Sequence, residues 1–457
     1  MSLIGSVIYV ISLAFGKSPS SGVKYIFYLA PLNTASVITF QRYILDNGLK
    51  LLVHEDDSTP MVAVNVLYDV GSRDEAPDKT GFAHLFEHLM FGGSANIPDF
   101  DDPIQMAGGE NNAFTNSDLT SFYNVLPAQN IETAFWLESD RMLKLRFNKK
   151  VLNVQRKVVV EEFKETCLNQ PYGDAWHHIS DLAYQTHPYR WPTIGLVPAH
   201  IEQATLDDVK AFYYQYYRPN NAILVVAGPV KAEAVVRLAE KWFGAIPTGQ
   251  IPDRHLPAEP PQTEQRRRVL RADVPSDALY MAFHMAPRLA SQFYTSDLIT
   301  DALGNGPSAR LFRRLLKEQK LFAHIDCYLS ATHDPGLLII EGKPSEGVSL
   351  EQAEALIWQE LEQLRTAQLP EAELQKLKNK VESSLVFSEL SALNKAINLA
   401  TFELLGDAEL INKEVHHYQS VTTEDIHQEA TRLFRPENCS VLYYVANKPA
   451  LTDASLN

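Results

Sequence analysis

Two histidines and a glutamate lie close together in the stretch TGFAHLFEHLMFGG, residues 80–93. In a helix, residues four apart share a face, so His84 and His88 should lie one turn apart with Glu87 beside them. Two imidazoles in this arrangement can bind one zinc ion, and a neighbouring carboxylate can accept a proton from water at the metal. The order His-x-x-Glu-His inverts the more common zinc-peptidase motif. The stretch therefore predicts a hydrolytic zinc site.

The same stretch has the apolar periodicity of a helix packed on a core. Thr80 is the predicted N-cap of this helix, and Gly92 and Gly93 are its predicted end. The alternative is that both histidines belong to an ordinary amphipathic helix without a metal. The apolar side of the predicted helix consists of Phe82, Leu85, Phe86, Leu89 and Met90.

A third metal ligand is expected from a second predicted helix, over residues 149–168, because a catalytic zinc ion usually takes three protein ligands. Glutamates on a helix surface are also common without any metal. Spacing alone does not choose among the candidates. These are Glu161, Glu162 and Glu165 in the helix, with the adjacent histidines His177 and His178 as rivals.

Composition limits the classes of protein that this chain can be. A chain of 457 residues that is 45% hydrophobic is expected to form two domains or more. Its formal net charge of −15 disfavours nucleic acid as a partner and favours attraction of basic peptides. The three cysteines are far apart in sequence, which indicates neither a disulfide framework nor a thiolate zinc cluster.

Residues 1–39 are interpreted as an N-terminal tail or a weak signal segment. The mostly apolar run from Leu3 to Phe15 is too short to span a bilayer, and no basic segment precedes it. A cytoplasmic and a periplasmic location both remain open on this sequence.

A sheet is predicted to begin near Phe40. Asn47-Gly48 between two apolar runs predicts a hairpin, and residues 61–70 are rich in β-branched residues. Alternation of polar and apolar residues over 111–127 predicts two more strands, and residues 131–145 have helical periodicity.

An internal repeat divides the chain. Residues 205–230, TLDDVKAFYYQYYRPNNAILVVAGPV, match residues 422–445, TTEDIHQEATRLFRPENCSVLYYV, without gaps at an offset of 422 − 205 = 217. A match of this kind indicates an internal duplication, so two similar halves are expected. The first half, residues 40–245, carries the metal motif.

The predicted linker, residues 246–268, contains five prolines and is expected to be extended. The second half, residues 269–457, has no His-x-x-Glu-His motif. Long helices are predicted there over residues 350–367 and 371–405.

With the inverted motif, the distal glutamates and the duplication, the chain resembles the pitrilysin, insulysin and mitochondrial processing peptidase family, the inverzincin zinc peptidases, as a short two-domain subunit of bacterial type. In QRKVVVEEFKE, the resemblance places Glu162 at the third ligand position, with 162 − 88 − 1 = 73 residues between it and His88. One departure is Gln155, because related enzymes often have a glutamate there, outside the ligand set.

The resemblance implies an α+β fold in which each half is an antiparallel sheet with helices packed on it. It also implies a zinc metalloendopeptidase that hydrolyses unfolded peptides or oligopeptides in a chamber formed by dimerisation. Zinc-bound water is then the nucleophile, and Glu87 is the general base and not a ligand. The metal ligands implied are His84, His88 and Glu162, and the implied substrate-binding edge strand carries Asn112, Ala113, Phe114 and Thr115.

The second half of related enzymes supplies an arginine and, seven residues later, a tyrosine that bind the substrate. Alignment places Leu316 and Ala323 at these positions, and neither side chain can form the required hydrogen bonds. Arg313 or Arg314 and Tyr328 are the nearest substitutes. The prediction is a heterodimer with a homologous metal-free subunit that supplies the arginine and tyrosine, with a homodimer as the second possibility.

Two other functions remain open from the sequence. The family fold also occurs in non-catalytic core subunits of larger assemblies, which characteristically lose part of the metal site. A zinc-dependent peptide-binding protein without turnover is the third reading.

Overall fold

The computed structural model of the protein describes residues 37–447. All but the last three residues of the predicted N-terminal segment, 1–39, lie outside this range. Two sheets with packed helices make up the described chain, which confirms the α+β class and the two halves. Across the described range, the structure contains no helix long and apolar enough to cross a membrane.

The first half contains six strands and eight α-helices within the described residues. The strands are β1 (Gln41–Ile44), β2 (Lys50–Glu55), β3 (Met61–Tyr68), β4 (Glu110–Thr115), β5 (Thr120–Pro127) and β6 (Ala222–Gly228). The helices are α1 (Phe82–Phe91), α2 (Asp101–Met106), α3 (Ile131–Leu143), α4 (Lys149–Phe163), α5 (Ala175–Ala183), α6 (Pro198–Glu202), α7 (Leu206–Tyr216) and α8 (Ala232–Phe243). A short π-helix, Lys164–Leu168, continues α4.

The second half follows the same plan with five strands and six α-helices among the described residues. The strands are β7 (Arg266–Ala272), β8 (Ala278–His284), β9 (Phe322–Leu329), β10 (Leu337–Pro344) and β11 (Cys439–Ala446). The helices are α9 (Ser291–Leu303), α10 (Leu350–Thr366), α11 (Glu371–Ser388), α12 (Ala392–Leu404), α13 (Glu414–Ser420) and α14 (Thr423–Leu433). A π-helix, Phe312–Glu318, precedes β9.

Apart from the additional edge strand β1 of the first sheet, the two sheets have equivalent strand orders, β1-β2-β6-β3-β5-β4 and β7-β11-β8-β10-β9. Neighbouring strands are antiparallel except for one pair in each sheet, β2 with β6 and β7 with β11. In each half the last strand returns after several helices and inserts between two earlier strands, β6 between β2 and β3, and β11 between β7 and β8. A long helical connection permits parallel pairing, so each sheet is mixed and not purely antiparallel as predicted.

The duplication extends well beyond the repeat that the sequence shows. The starts of β3 and β8 differ by 278 − 61 = 217 residues, and those of β5 and β10 by 337 − 120 = 217. The same difference relates α5 to α12, since 392 − 175 = 217. Both halves therefore descend from one structural unit.

The helices α5 and α12 are exchanged between the halves. Ile179 of α5 is buried in one apolar cluster with Leu442 of the second sheet. Leu399 of α12 is buried in one apolar cluster with Val225 of the first sheet. Each sheet is apolar on both faces, and this exchange covers the second face of each.

One helix predicted in the second half is wrong, and the last three residues of the predicted linker, 266–268, lie in β7. The helix predicted over residues 371–405 is interrupted at residues 389–391, and the Ser391 side chain accepts a hydrogen bond from the amide of Asn394 to begin α12. The break allows α12 to cross to the first sheet. The linker is free of helix and strand only up to residue 265, since β7 begins at Arg266 and pairs with β11.

Candidate metal centre

Helix α1 separates an apolar side from a polar side, as its sequence predicts. The five apolar residues predicted to face the core are all buried. His84, Glu87 and His88 are only partly buried and lie together on the other side. The helix ends at Phe91, with Gly92 as its C-cap.

The first turn of α1 is fixed by Glu75 and not by the predicted N-cap, Thr80. The N-cap is Gly81, whose φ of 88° lies in the left-handed region. The buried Glu75 carboxylate accepts hydrogen bonds from the amides of Gly81 and Ala83, both at 2.8 Å. Thr80 instead bonds through its hydroxyl to His200 and to the amide of Leu196. Sequence reasoning missed Glu75 because it lies outside the usual capping positions.

The structure brings His84, His88 and Glu162 together. His88 Nε2 lies 3.3 Å from His84 Nε2 and 3.2 Å from Glu162 Oε2. His84 Nε2 lies 3.6 Å from Glu162 Oε1. Among the residues described, these three form the one group of His, Cys, Asp and Glu side chains with the geometry to hold a metal ion.

The spacing of these atoms fits a tetrahedral zinc ion. Zinc bonds of about 2.1 Å at tetrahedral angles place two ligand atoms about 3.4 Å apart. The two Nε2 atoms are 3.3 Å apart, and they lie 3.2 and 3.6 Å from the two different oxygens of Glu162, so the observed separations surround that value. Burial lowers the pKa of His84 and favours the neutral imidazole, and a hydrogen bond with His88 lowers the pKa of Glu162 and favours the carboxylate. Both are the forms that bind metals.

The other predicted ligands lie elsewhere. Glu161 is exposed and pairs with Lys164 at 2.7 Å, and Glu165 is exposed in the π-helix. His177 lies 2.8 Å from the carbonyl oxygen of Gly195. His178 is 3.2 Å from Asp174.

Within residues 37–447, no carboxylate is hydrogen-bonded to the ring nitrogen of His84 that points away from the cluster. His84 Nδ1 is buried without a hydrogen-bond partner from any residue between 37 and 447. Gln155, where related enzymes often have a glutamate, lies beside Gly92, one turn beyond His88. A carboxylate at such a position usually orients a ligating imidazole and raises its affinity for metal.

Glu87 is bound by the edge strand of the first sheet. Its Oε2 accepts a hydrogen bond from the Thr115 hydroxyl at 2.6 Å. Thr115 ends β4, which among the described strands pairs with β5 alone and so has one edge open. The sequence placed Thr115 on a strand but did not indicate this contact with Glu87, because the two residues are distant along the chain.

The open edge of β4 presents the backbone of Ala113. In the turn of this hairpin, the Asn116 amide donates a hydrogen bond to the carbonyl oxygen of Leu119. Hydrogen-bonded and non-hydrogen-bonded residue pairs alternate along two antiparallel strands, so Ala113 and Phe122 form a non-hydrogen-bonded pair. The amide of Ala113 therefore faces outward, where it donates to the Asn112 side chain at 2.8 Å. Phe114 has the opposite orientation and pairs with β5.

In the second half, the positions aligned with the substrate-binding arginine and tyrosine hold a half-buried Leu316 and an exposed Ala323. Arg314 is held by Glu360 at 2.9 Å, so it is not free to bind a peptide. Arg313 is exposed and lies 3.7 Å from Glu318. Tyr328 lines a separate cavity of about 320 Å³ between β9 and the segment after the π-helix of the first half.

Comparison with known proteins gives the family. The model described as "Insulinase (Peptidase family M16)" matches residues 50–195 and includes the metal cluster. The model described as "Peptidase M16 inactive domain" matches residues 203–381. The zinc protease PqqE of Helicobacter pylori is 26% identical over 407 residues, covering 87% of this chain and 91% of that protein. The mitochondrial-processing peptidase subunit beta of Saccharomyces cerevisiae is 28% identical over 211 residues, covering 46% and 45% of the two chains.

Solved structures share the fold. The crystal structure of a protease from Helicobacter pylori has a TM-score of 0.85 and 26% identity, and the match covers 90% of this chain and 100% of that one. Pitrilysin has a TM-score of 0.73 and 20% identity, over 90% of this chain and 45% of pitrilysin. A chain of complex III2 from Candida albicans has a TM-score of 0.75 and 14% identity, and the match covers 89% of this chain and 95% of that one. At this identity the likeness shows a shared fold alone. The chain belongs to the M16 (insulinase) family of peptidases.

Proposed function

We propose that the protein is a zinc metalloendopeptidase that hydrolyses unfolded peptides or oligopeptides. The observation that carries this proposal is the cluster formed by His84 Nε2, His88 Nε2 and the Glu162 carboxylate, whose separations of 3.2 to 3.6 Å suit a tetrahedral zinc ion. Relatives named zinc proteases support it. A zinc ion held by these residues would lower the pKa of a bound water and polarise the peptide carbonyl.

Glu87 is the proposed general base. It follows His84 by three residues on the same helix face and is absent from the group of metal-ligating atoms. A free carboxylate beside the metal can take a proton from water and pass it to the leaving amine. Glu87 therefore needs to keep one oxygen available for water while the other accepts the Thr115 hydroxyl.

The proposed substrate site is the open edge of β4, with Asn112, Ala113, Phe114 and Thr115. An extended peptide can pair with the outward amide and carbonyl of Ala113 as an added strand. Only a chain that is locally unfolded can pair in this way, which accounts for a preference for unfolded peptides. The net charge of −15 favours association with basic peptides.

A partner chain is the proposed source of the missing substrate contacts. The first half of this chain carries the metal cluster. In its second half, Leu316 and Ala323 cannot bind a peptide carbonyl. The proposed assembly is a heterodimer with a homologous metal-free chain that carries the arginine and tyrosine and closes the chamber. A homodimer is the second possibility.

The test measures zinc content together with cleavage of a library of unstructured fluorescent peptides by the wild type and Glu87→Gln, each with and without a metal-free homologue. We expect one zinc ion per chain in both proteins and loss of cleavage only in Glu87→Gln. Cleavage by Glu87→Gln at the wild-type rate would refute the mechanism. Zinc without cleavage in any combination would indicate a binding protein, and neither zinc nor cleavage would indicate a structural subunit.

A further inference from the structure

Thr115 is the one hydrogen-bond partner of the Glu87 carboxylate in the part of the chain that the structure describes. Its hydroxyl donates to Oε2 at 2.6 Å, toward the short end of the range for a hydrogen bond between two oxygens. Oε1 of Glu87 has no such bond. A glutamate side chain has three rotatable bonds, so holding one carboxylate oxygen in place restricts the positions that the other oxygen can take.

The backbone that carries Thr115 is held firmly. The turn after it accepts hydrogen bonds from the amides of Ser72 and Arg73 at 3.1 and 3.0 Å, through the carbonyls of Asn116 and Ser117. These bonds tie the end of β4 to the loop that precedes α1. The position of the Thr115 hydroxyl is therefore set by the fold and not by solvent.

Asp118 fixes the same turn to more distant segments. Its carboxylate pairs with the buried Arg73 at 2.8 Å and accepts hydrogen bonds from the Tyr189 hydroxyl at 2.5 Å and from the amide of His333 at 2.9 Å. His333 belongs to the turn between β9 and β10 of the second half. The end of β4 is thus joined to both halves of the molecule.

We propose that Thr115 is a positioning residue that holds the Glu87 carboxylate for proton transfer. It fixes Oε2 and so directs Oε1 toward the space beside the His84, His88 and Glu162 cluster. Because Thr115 also ends the strand to which the peptide is proposed to bind, one rigid element sets both the register of the peptide and the position of the base. This inference rests on the proposed peptidase function.

The test compares Thr115→Val, which keeps the shape and removes the donor, with Thr115→Ser, which keeps the donor. Steady-state cleavage of one fluorescent peptide from the library is measured on the full chain, with the metal-free homologue where the wild type requires it. We expect kcat of Thr115→Val to fall about 10- to 100-fold. This loss is smaller than the loss expected when the general base itself is removed, because the carboxylate is still present but less well placed. We expect KM and zinc content to stay within about twofold, because the proposed peptide contacts of β4 are made by its backbone and the Thr115 hydroxyl bonds to Glu87 instead of His84, His88 or Glu162.

Thr120 offers a matched control, since it lies opposite Thr115 on β5 and donates its hydroxyl to Val70 O. Thr120→Val should lower thermal stability with kcat within about twofold of the wild type. Thr115→Ser should restore kcat to within about threefold. A crystal structure of zinc-loaded Thr115→Val should show the Glu87 carboxylate rotated or in more than one position.

Distinct outcomes separate the inference from the function on which it rests. Unchanged kcat in Thr115→Val, an equal loss in Thr115→Ser, or an equal loss in Thr120→Val would each overturn the positioning role while the wild type still cleaves. A change confined to KM would make Thr115 a peptide contact and also overturn it. A wild type that neither binds zinc nor cleaves peptides would overturn the proposed function and this inference together.

Discussion

Glu75 accepts a hydrogen bond from the amide of Gly81 at 2.8 Å, and so a residue outside α1 fixes the start of the helix that carries the metal cluster. Its second oxygen accepts from the amide of Ala83, which immediately precedes His84. Four amides at the start of any helix lack partners within the helix. Glu75 satisfies two of these amides, those of Gly81 and Ala83.

We predict that Glu75→Ala destabilises the protein by about 2–4 kcal/mol, because it leaves two buried amides without acceptors. Glu75→Gln keeps one carbonyl acceptor and should cost less. The free energy of unfolding, measured by urea denaturation in the presence of a chelator, checks both values. Similar stability of Glu75→Ala and the wild type would show that water replaces the carboxylate.

The pH dependence of stability should also report on Glu75. Burial raises the pKa of Glu75 well above its ordinary value of 4.5, so the folded state binds the proton more tightly than the unfolded chain. The stabilisation is complete below about pH 4.5 and is lost as the pH rises through the folded-state pKa. Since Glu75→Gln cannot titrate, the free energy of unfolding of the wild type minus that of Glu75→Gln should fall between pH 4.5 and pH 8. A constant or rising difference would contradict the raised pKa.

Much of the metal centre could be predicted because its signals are local. The periodicity of α1 separated its buried side from His84, Glu87 and His88, and all three lie on the predicted face. Glu75 could not be found in this way, because its contact with α1 depends on how a loop folds back. The Thr115 contact with Glu87 likewise joins residues 28 positions apart.

Prediction of the fold from the sequence has a similar limit. The repeat revealed two equivalent halves, but not that α5 and α12 pack on the opposite sheets. Periodicity indicates that one side of a helix is buried, and it does not indicate against which sheet. The same limit explains the uninterrupted helix predicted over residues 371–405, where helix-forming residues continue through the break at residues 389–391.

The choice of Glu162 among three glutamates can be tested directly. Glu162→Gln should lower zinc affinity by more than about 100-fold, since changes outside a ligand set already cost about 10- to 100-fold. Glu161→Gln and Glu165→Gln serve as matched controls and should bind zinc like the wild type. Zinc titrations monitored by isothermal calorimetry give the affinities. Equal affinities in all three variants would exclude Glu162 as a ligand.

The open edge of β4 predicts different effects of proline at two adjacent positions. Ala113→Pro removes an amide that faces outward, so the sheet should remain intact and kcat/KM for an unstructured peptide should fall at least about tenfold. Phe114→Pro removes an amide bonded to β5 and should lower the melting temperature. Unchanged cleavage by Ala113→Pro would show that peptides do not bind at this edge.

The last prediction concerns the partner chain. Leu316 has no guanidinium to bind a peptide carbonyl, Ala323 has no phenol, and Glu360 holds the nearby Arg314. The chain alone should therefore bind zinc but cleave peptides about 10²- to 10³-fold more slowly than with a metal-free homologue, as expected when a donor to the reacting carbonyl is missing. Cleavage rates across a titration of the partner, at constant concentration of this chain, give the comparison.

A partner in which the aligned arginine is replaced by leucine provides the control. It should still associate, as measured by sedimentation, but should not restore the rate, because the arginine and not the association supplies the missing contact. Full activity of this chain alone, together with a dimer of identical chains in sedimentation, would decide for the homodimer. In that case a side chain other than those at positions 316 and 323 would have to bind the peptide carbonyl, and the exposed Arg313 would be the first to replace.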